Sequence, residues 1–219
     1  MPALPSSLIS SLSTAPPGAS AVASAAGLLA ALSSLPDPRA RRGVRHALVT
    51  VVAAAVCAVV AGYRSYAAIG EWVADLPADT AAVLGIHADR RPSEAMIRRL
   101  LQALDPDRLA AVIGAWLATQ LPAPPAGTRR VIAVDGKTLR GSRTGDTVAR
   151  HVLAAADQTT GVVLASTDVD GKTNEIARFA PLLDQLGDLG EVVVTADALH
   201  CQRDHVAYLA SVAPTGFSP

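Results

Sequence analysis

Val131-Ile132-Ala133-Val134-Asp135-Gly136-Lys137-Thr138-Leu139-Arg140-Gly141 is the stretch whose reading decides the fold. Its apolar run, rich in β-branched residues, reads as a short buried strand that ends at Asp135. Gly136 is then expected to turn the backbone away, leaving the carboxylate at the sheet's edge. Val192-Val193-Val194-Thr195-Ala196-Asp197 has the same form. Two carboxylates that end two buried strands make a candidate metal site if the fold brings those strands together.

The surrounding pattern supplies a reason for them to meet. Strands are expected over 130–135, 149–156, 161–166 and 191–196, with Asp157-Gln158-Thr159-Thr160 as a hairpin turn. A helix is expected over 175–186, distorted at Pro181, and another from Gln202 with Val206 and Leu209 inward. Three strands, a helix, a strand and a helix follow the order of an RNase H-like sheet. There the first three strands form an antiparallel meander and the fourth lies parallel to the first. Asp135 and Asp197 would then be neighbours. Adjacent carboxylates repel unless a cation lies between them, and oxygen-only ligands suit Mg²⁺ or Mn²⁺.

The N-terminal part has a different character. Residues 1–26 read as a loose, Ser- and Ala-rich arm. Helical patterns then fill 27–121. Ser65, Ser93 and Asp105-Pro106 mark helix starts, and Ile97, Leu100, Leu101 and Leu104 form one stripe. The 77–92 segment is too long for the tight turn of a helix-turn-helix, so an ordinary helical bundle is expected. Ala47–Gly62 is apolar but shorter than a membrane span and reads as a buried helix. The Pro-rich stretch 122–129 is a linker. The fold class is therefore α/β (α+β): an all-α domain followed by a mixed-sheet domain over 130–219.

Composition narrows the function classes. Half of the residues are hydrophobic and few are aromatic, so the chain can bury a core built from Ala, Val and Leu. Cys57 and Cys201 form neither a disulfide framework nor a zinc pattern, which fits a reducing, cytoplasmic setting. Residues 39–130 carry twelve arginines against seven acids, a net +5, while 131–219 carry seven bases against eleven acids, a net −4. A basic part beside an acidic part fits polyanion binding joined to cation binding, although such blocks also arise on solvated faces. Gly136-Lys137-Thr138 and Gly171-Lys172-Thr173 mimic a phosphate-loop tail, but Val131 and Ser166 stand where its first glycine belongs. His200, Cys201, Asp204 and His205 are weak as a zinc cluster and read as a polar helix start beside the acidic site.

Three motifs occur in order: Val134-Asp135-Gly136-Lys137-Thr138-Leu139-Arg140-Gly141-Ser142, Val169-Asp170-Gly171-Lys172-Thr173-Asn174-Glu175-Ile176 and Thr195-Ala196-Asp197-Ala198-Leu199-His200. With Pro36-Asp37-Pro38-Arg39, Arg42-Gly43-Val44-Arg45 and Pro92-Ser93-Glu94, they resemble the H-repeat-associated (ISAs-type) insertion-sequence transposases of the DDE class. The resemblance implies an RNase H-like domain that cuts and rejoins DNA at terminal inverted repeats with Mg²⁺. It makes Asp135 and Asp197 the first two catalytic, metal-binding carboxylates. Arg39, Arg41, Arg42, Arg45, Lys137, Arg140, Lys172 and Asn174 are candidate DNA contacts, and Glu175 and His200 belong to the family motifs. The family's third acidic residue falls beyond Pro219, so the resemblance implies a truncated, inactive copy with an incomplete catalytic domain. The alternative is a non-catalytic DNA-binding fragment that modulates a full-length transposase. A homo-oligomer is possible in either case, and no membrane partner is expected.

Overall fold

The first helix begins earlier than its pattern suggests. In the computed structural model α1 spans Ala19–Leu32 rather than starting near Gly27, because the alanines that precede Gly27 favour helix without needing an amphipathic period. The structure describes residues 19–40, 42, 44–139, 142–143, 148–169 and 174–212. By internal contacts the chain divides into one unit up to Leu104 and a second from Asp105.

The first unit is helical. α2 (Leu48–Val60) is built from Ala and Val and buries Leu48, Thr50 and Val51 to Ala55. Small side chains on several faces let it serve as the core helix that other helices approach. Among the described residues no helix is long and apolar enough to cross a membrane. α3 (Tyr66–Asp75) is capped by the Ser65 hydroxyl, which accepts from the Ala68 N–H at 3.1 Å. The short α4 (Ala78–Val83) and a bridge between His87 and Arg90 fill the segment that was too long for a tight turn. α5 (Glu94–Ala103) buries Ile97 and Leu100. Ser93 occupies its N-cap position but makes no capping bond through its side chain. Gly70 lets α3 approach α5 closely, since a Cβ there would lie 2.7 Å from Glu94 Cβ.

The second unit opens with α6 (Pro106–Gln120). Asp105 caps it by accepting from the N–H groups of Asp107 and Arg108, at 3.0 and 3.2 Å. By sequence pattern this helix continues the helical part, yet it packs on the sheet. The reason is Gly114, where a Cβ would overlap the Leu164 carbonyl oxygen. A helix with a bare face can lie directly on strand backbone.

The sheet contains β1 (Arg130–Thr138), β2 (His151–Asp157), β3 (Val163–Val169) and β4 (Val192–Ala196), in the order β3-β2-β1-β4. β1–β2 and β2–β3 are antiparallel, and β4 runs parallel to β1. The topology agrees with the expected order. The end of β1 does not: Gly136 makes no turn, and the strand continues through Gly136↔Leu153 and Lys137↔Val152 to Thr138↔His151. The long partner strand β2 offers a ladder to the end, and Gly136 meets a different need, described below.

α7 (Glu175–Asp184) covers one sheet face, where Phe179, Leu182 and Leu183 pack with Ile132, Val134, Leu153, Ala155 and Ala165. Pro181 lies inside α7, and the helix ends soon after it. α8 (Arg203–Val212) turns a different residue inward than expected. Val206 is 47% exposed, and His205 is buried instead. His205, Tyr208, Leu209 and Val212 share one stripe at i, i+3, i+4 and i+7.

Candidate metal centre

Parallel pairing fixes the relation of the two carboxylates. The last matched pair of β1 and β4 is Val134↔Ala196. One step further, Asp135 and Asp197 stand opposite each other at the C-terminal end of β4, on strands about 4.8 Å apart. Both are set on the face away from α7 by alternation, Asp135 with Ile132 and Val134 and Asp197 with Val192 and Val194, which pack in or against the core. Asp135 and Asp197 are both exposed. Asp197 Oδ1 accepts from the Leu199 N–H at 2.8 Å, capping the 3₁₀ turn Ala198–His200. That bond fixes the side chain and leaves its second oxygen available. Asp135 Oδ2 lies 3.9 Å from Lys137 Nζ, an exposed pair worth little energy.

Two solvated carboxylates with unused oxygens fit a hard divalent cation, which keeps several waters and takes one or two protein carboxylates. Among the described residues no group of three or more His, Cys, Asp or Glu side chains is placed to hold a metal ion. Asp135 and Asp197 are thus two candidate ligands, and His200 and His205 point their rings elsewhere.

The opposite face of the same strand ends holds a second cluster, which sequence reasoning missed. Glu175, at the start of α7, lies under Gly136. Its carboxylate pairs with His151 Nε2 and stands 3.4 Å from His200 Nε2. His151 Nδ1 in turn contacts the Thr138 hydroxyl at 3.0 Å. A Cβ on Gly136 would overlap the Glu175 carboxylate, so a larger residue there would have to displace it. Glu175 thus ties together the end of β1, the start of β2 and the turn after β4. The first and last of these carry Asp135 and Asp197.

His200 and His205 form no solvated helix start. Both are buried and stack on Phe179, with ring centroids 5.1 and 4.2 Å from it. His205 presents one ring nitrogen to the His200 carbonyl at 3.0 Å and the other to the Ile176 carbonyl at 2.9 Å. The signal for this cluster was present in the family motifs, but no local pattern says which way Glu175 points.

The basic candidates separate by what their side chains already do. Arg39 grips Asp37 with two donors, at 2.9 and 2.7 Å, and donates to the His46 carbonyl at 3.0 Å. The Arg39 side-chain bond to Asp37 holds that carboxyl below its ordinary range. Asn174 caps α7 by accepting from the Ile176 N–H at 2.8 Å. Lys137 stands exposed beside Asp135, and Arg42 and Arg45 are exposed in the first unit. Arg41, Arg140 and Lys172 lie outside the described residues.

Comparison with known proteins gives this geometry a family. The family model DDE_Tnp_1-associated matches residues 29–117, and Transposase DDE domain matches 126–214. The chain is 30% identical over 182 residues to "Putative transposase YncI" of Escherichia coli O157:H7, covering 81% of this chain and 45% of that protein. It is 28% identical over 179 residues to "H repeat-associated putative transposase YhhI" of Escherichia coli K12, covering 81% and 46%. The protein of Escherichia coli K12 also named "Putative transposase YncI" is 30% identical over 182 residues, covering 81% and 70%. No solved structure matches. The chain belongs to the DDE transposases of the H-repeat-associated type. It spans about half the length of the first two relatives named.

Proposed function

We propose that this chain carries part of the DNA-cutting centre of an insertion-sequence transposase, in an RNase H-like sheet, with Asp135 and Asp197 as its metal ligands. The observation that carries this reading is the parallel β1–β4 register, which sets the two carboxylates side by side on an open face. A bound Mg²⁺ or Mn²⁺ would activate a water or a 3′-hydroxyl and stabilise the leaving oxygen in phosphoryl transfer. The chain's own residues do the holding. Asp197 is fixed by its bond to the turn, while Glu175, His151 and His200 brace the strand ends from behind. Lys137 lies where a DNA phosphate could replace its weak contact with Asp135. The substrate is DNA at terminal inverted repeats, handled in the cytoplasm, with two copies of the protein bringing the ends together.

Asp168 shares that face but sits on the far strand β3, paired with Arg150. With Asp135 and Asp197 as the one pair on neighbouring strand ends among the described residues, we expect this chain to cut DNA poorly or not at all. Purified protein incubated with Mn²⁺ and terminal-repeat DNA tests this, and only background nicking is expected. Robust cleavage that disappears in Asp135→Ala would overturn the inactive reading and confirm the role of Asp135. A second reading, a DNA-binding fragment that modulates a full-length transposase, is favoured by the basic first unit.

A further inference from the structure

In the first unit, a cleft of about 750 Å³ opens between residues 39–40, 42 and 44–46 and the start of α5. Arg39, Arg42, Arg45, His46, Arg91 and Arg99 line it, and no Asp or Glu does so among the described residues. Val44, Met96 and Leu100 form its apolar lining. The sequence reading picked out the first basic segment, but Arg91 and Arg99 are brought to it only by the fold.

Two of these guanidinium groups are held rigidly. Arg39 is fixed by Asp37 and the His46 carbonyl, and Arg91 donates to the carbonyls of Val73 and Leu76 at 2.7 and 2.6 Å. Arg99 spends Nε on the Ala95 carbonyl and keeps its two terminal nitrogens. Arg42 and Arg45 make no hydrogen bond or ion pair with any described residue. Gathering several cations around one concavity destabilises the fold unless an anion enters. His46 reports the field there. Burial, followed by the charges of Arg39, Arg90 and Arg45, holds its imidazole below the ordinary range.

We propose that this cleft is a phosphate-binding site that takes the sugar-phosphate backbone of DNA. Fixed and free arginines together offer forked donors that match phosphate oxygens. The apolar lining suits the sugar edge, and the volume exceeds what a lone phosphate would fill. This inference rests on the DNA-handling reading and names the surface in the first unit that would do the gripping.

The test measures binding of the full chain to a labelled duplex of about 20 base pairs, by anisotropy, across salt concentrations starting near about 50 mM. Arg42→Gln/Arg45→Gln/Arg99→Gln should weaken binding about tenfold or more and lower the salt slope by roughly two to three. Arg64→Gln/Arg108→Gln/Arg203→Gln removes the same charge outside the cleft and should change affinity no more than about twofold. Equal losses in the two triple variants, or none in the first, would overturn the cleft proposal alone. Failure of the wild-type chain to bind at low salt would instead remove the DNA reading on which it rests. If the first variant does not fold, phenylglyoxal modification of the wild type decides: the duplex should shield Arg42 and Arg45, and unshielded reaction contradicts the proposal.

Discussion

Glu175 and Gly136 act as one unit. The glycine supplies the space that the carboxylate fills, the His151 imidazole pairs with the carboxylate, and the buried His200 ring lies beside it. Gly136→Ala should therefore push the carboxylate away from His151 and cost about 1–2 kcal/mol, read from urea denaturation. In a Glu175→Ala background the same change should cost almost nothing, because the obstructing group is gone. Additive losses in that double-mutant cycle would show that the two residues do not share space. Asp157 makes a second residue-scale case. It is buried, pairs with Arg130 at 2.6 Å and accepts from the Thr160 N–H and hydroxyl. Burial pushes its carboxyl up, but the Thr160 bonds and Arg130 more than offset this and hold it below the ordinary range. The sign follows directly: its stabilisation is present above the unfolded value of about 3.9 and is lost as pH falls through the lower folded value. Asp157→Ala should cost about 2–3 kcal/mol at neutral pH, less than a fully buried pair because Arg130 is partly exposed. Denaturation of both proteins from pH 7 to pH 3 should show the difference shrinking only at the acid end.

At the scale of elements, the periodic segments were legible in the sequence and their partners were not. The β-branched runs, the Asp105-Pro106 cap and the hairpin turn each act locally, so the strands, α6 and the meander could be read directly. Three outcomes needed the fold. β1 runs past Gly136 because β2 supplies partners there, α6 docks on β3 through Gly114, and His205 replaces Val206 as the inward residue of α8. In each case a tertiary contact outweighs a local preference. The α6–β3 contact gives an element-scale prediction. Gly114→Val would place branched carbons against the Leu164 backbone, which cannot swing aside as a side chain can. Loss of about 1–3 kcal/mol is expected, together with faster hydrogen exchange in β3. Unchanged stability would mean that α6 does not sit on the strand as described.

For the whole molecule, the two carboxylates were legible in sequence because each ends a strong apolar run. Their adjacency came from strand order, and their common face from alternation along β1 and β4. The brace of Glu175, His151 and His200 was not legible, since it joins side chains from three elements that no single period connects. The proposed centre requires Asp135 and Asp197 to hold one divalent cation jointly. Titration of the full chain with Mn²⁺, followed by the loss of free-ion electron paramagnetic resonance signal, tests it most directly. One saturable site is expected, lost in Asp135→Asn and in Asp197→Asn alike, while far-ultraviolet circular dichroism stays unchanged. Mn²⁺ uptake that survives either substitution undiminished, in protein that remains folded, would contradict it.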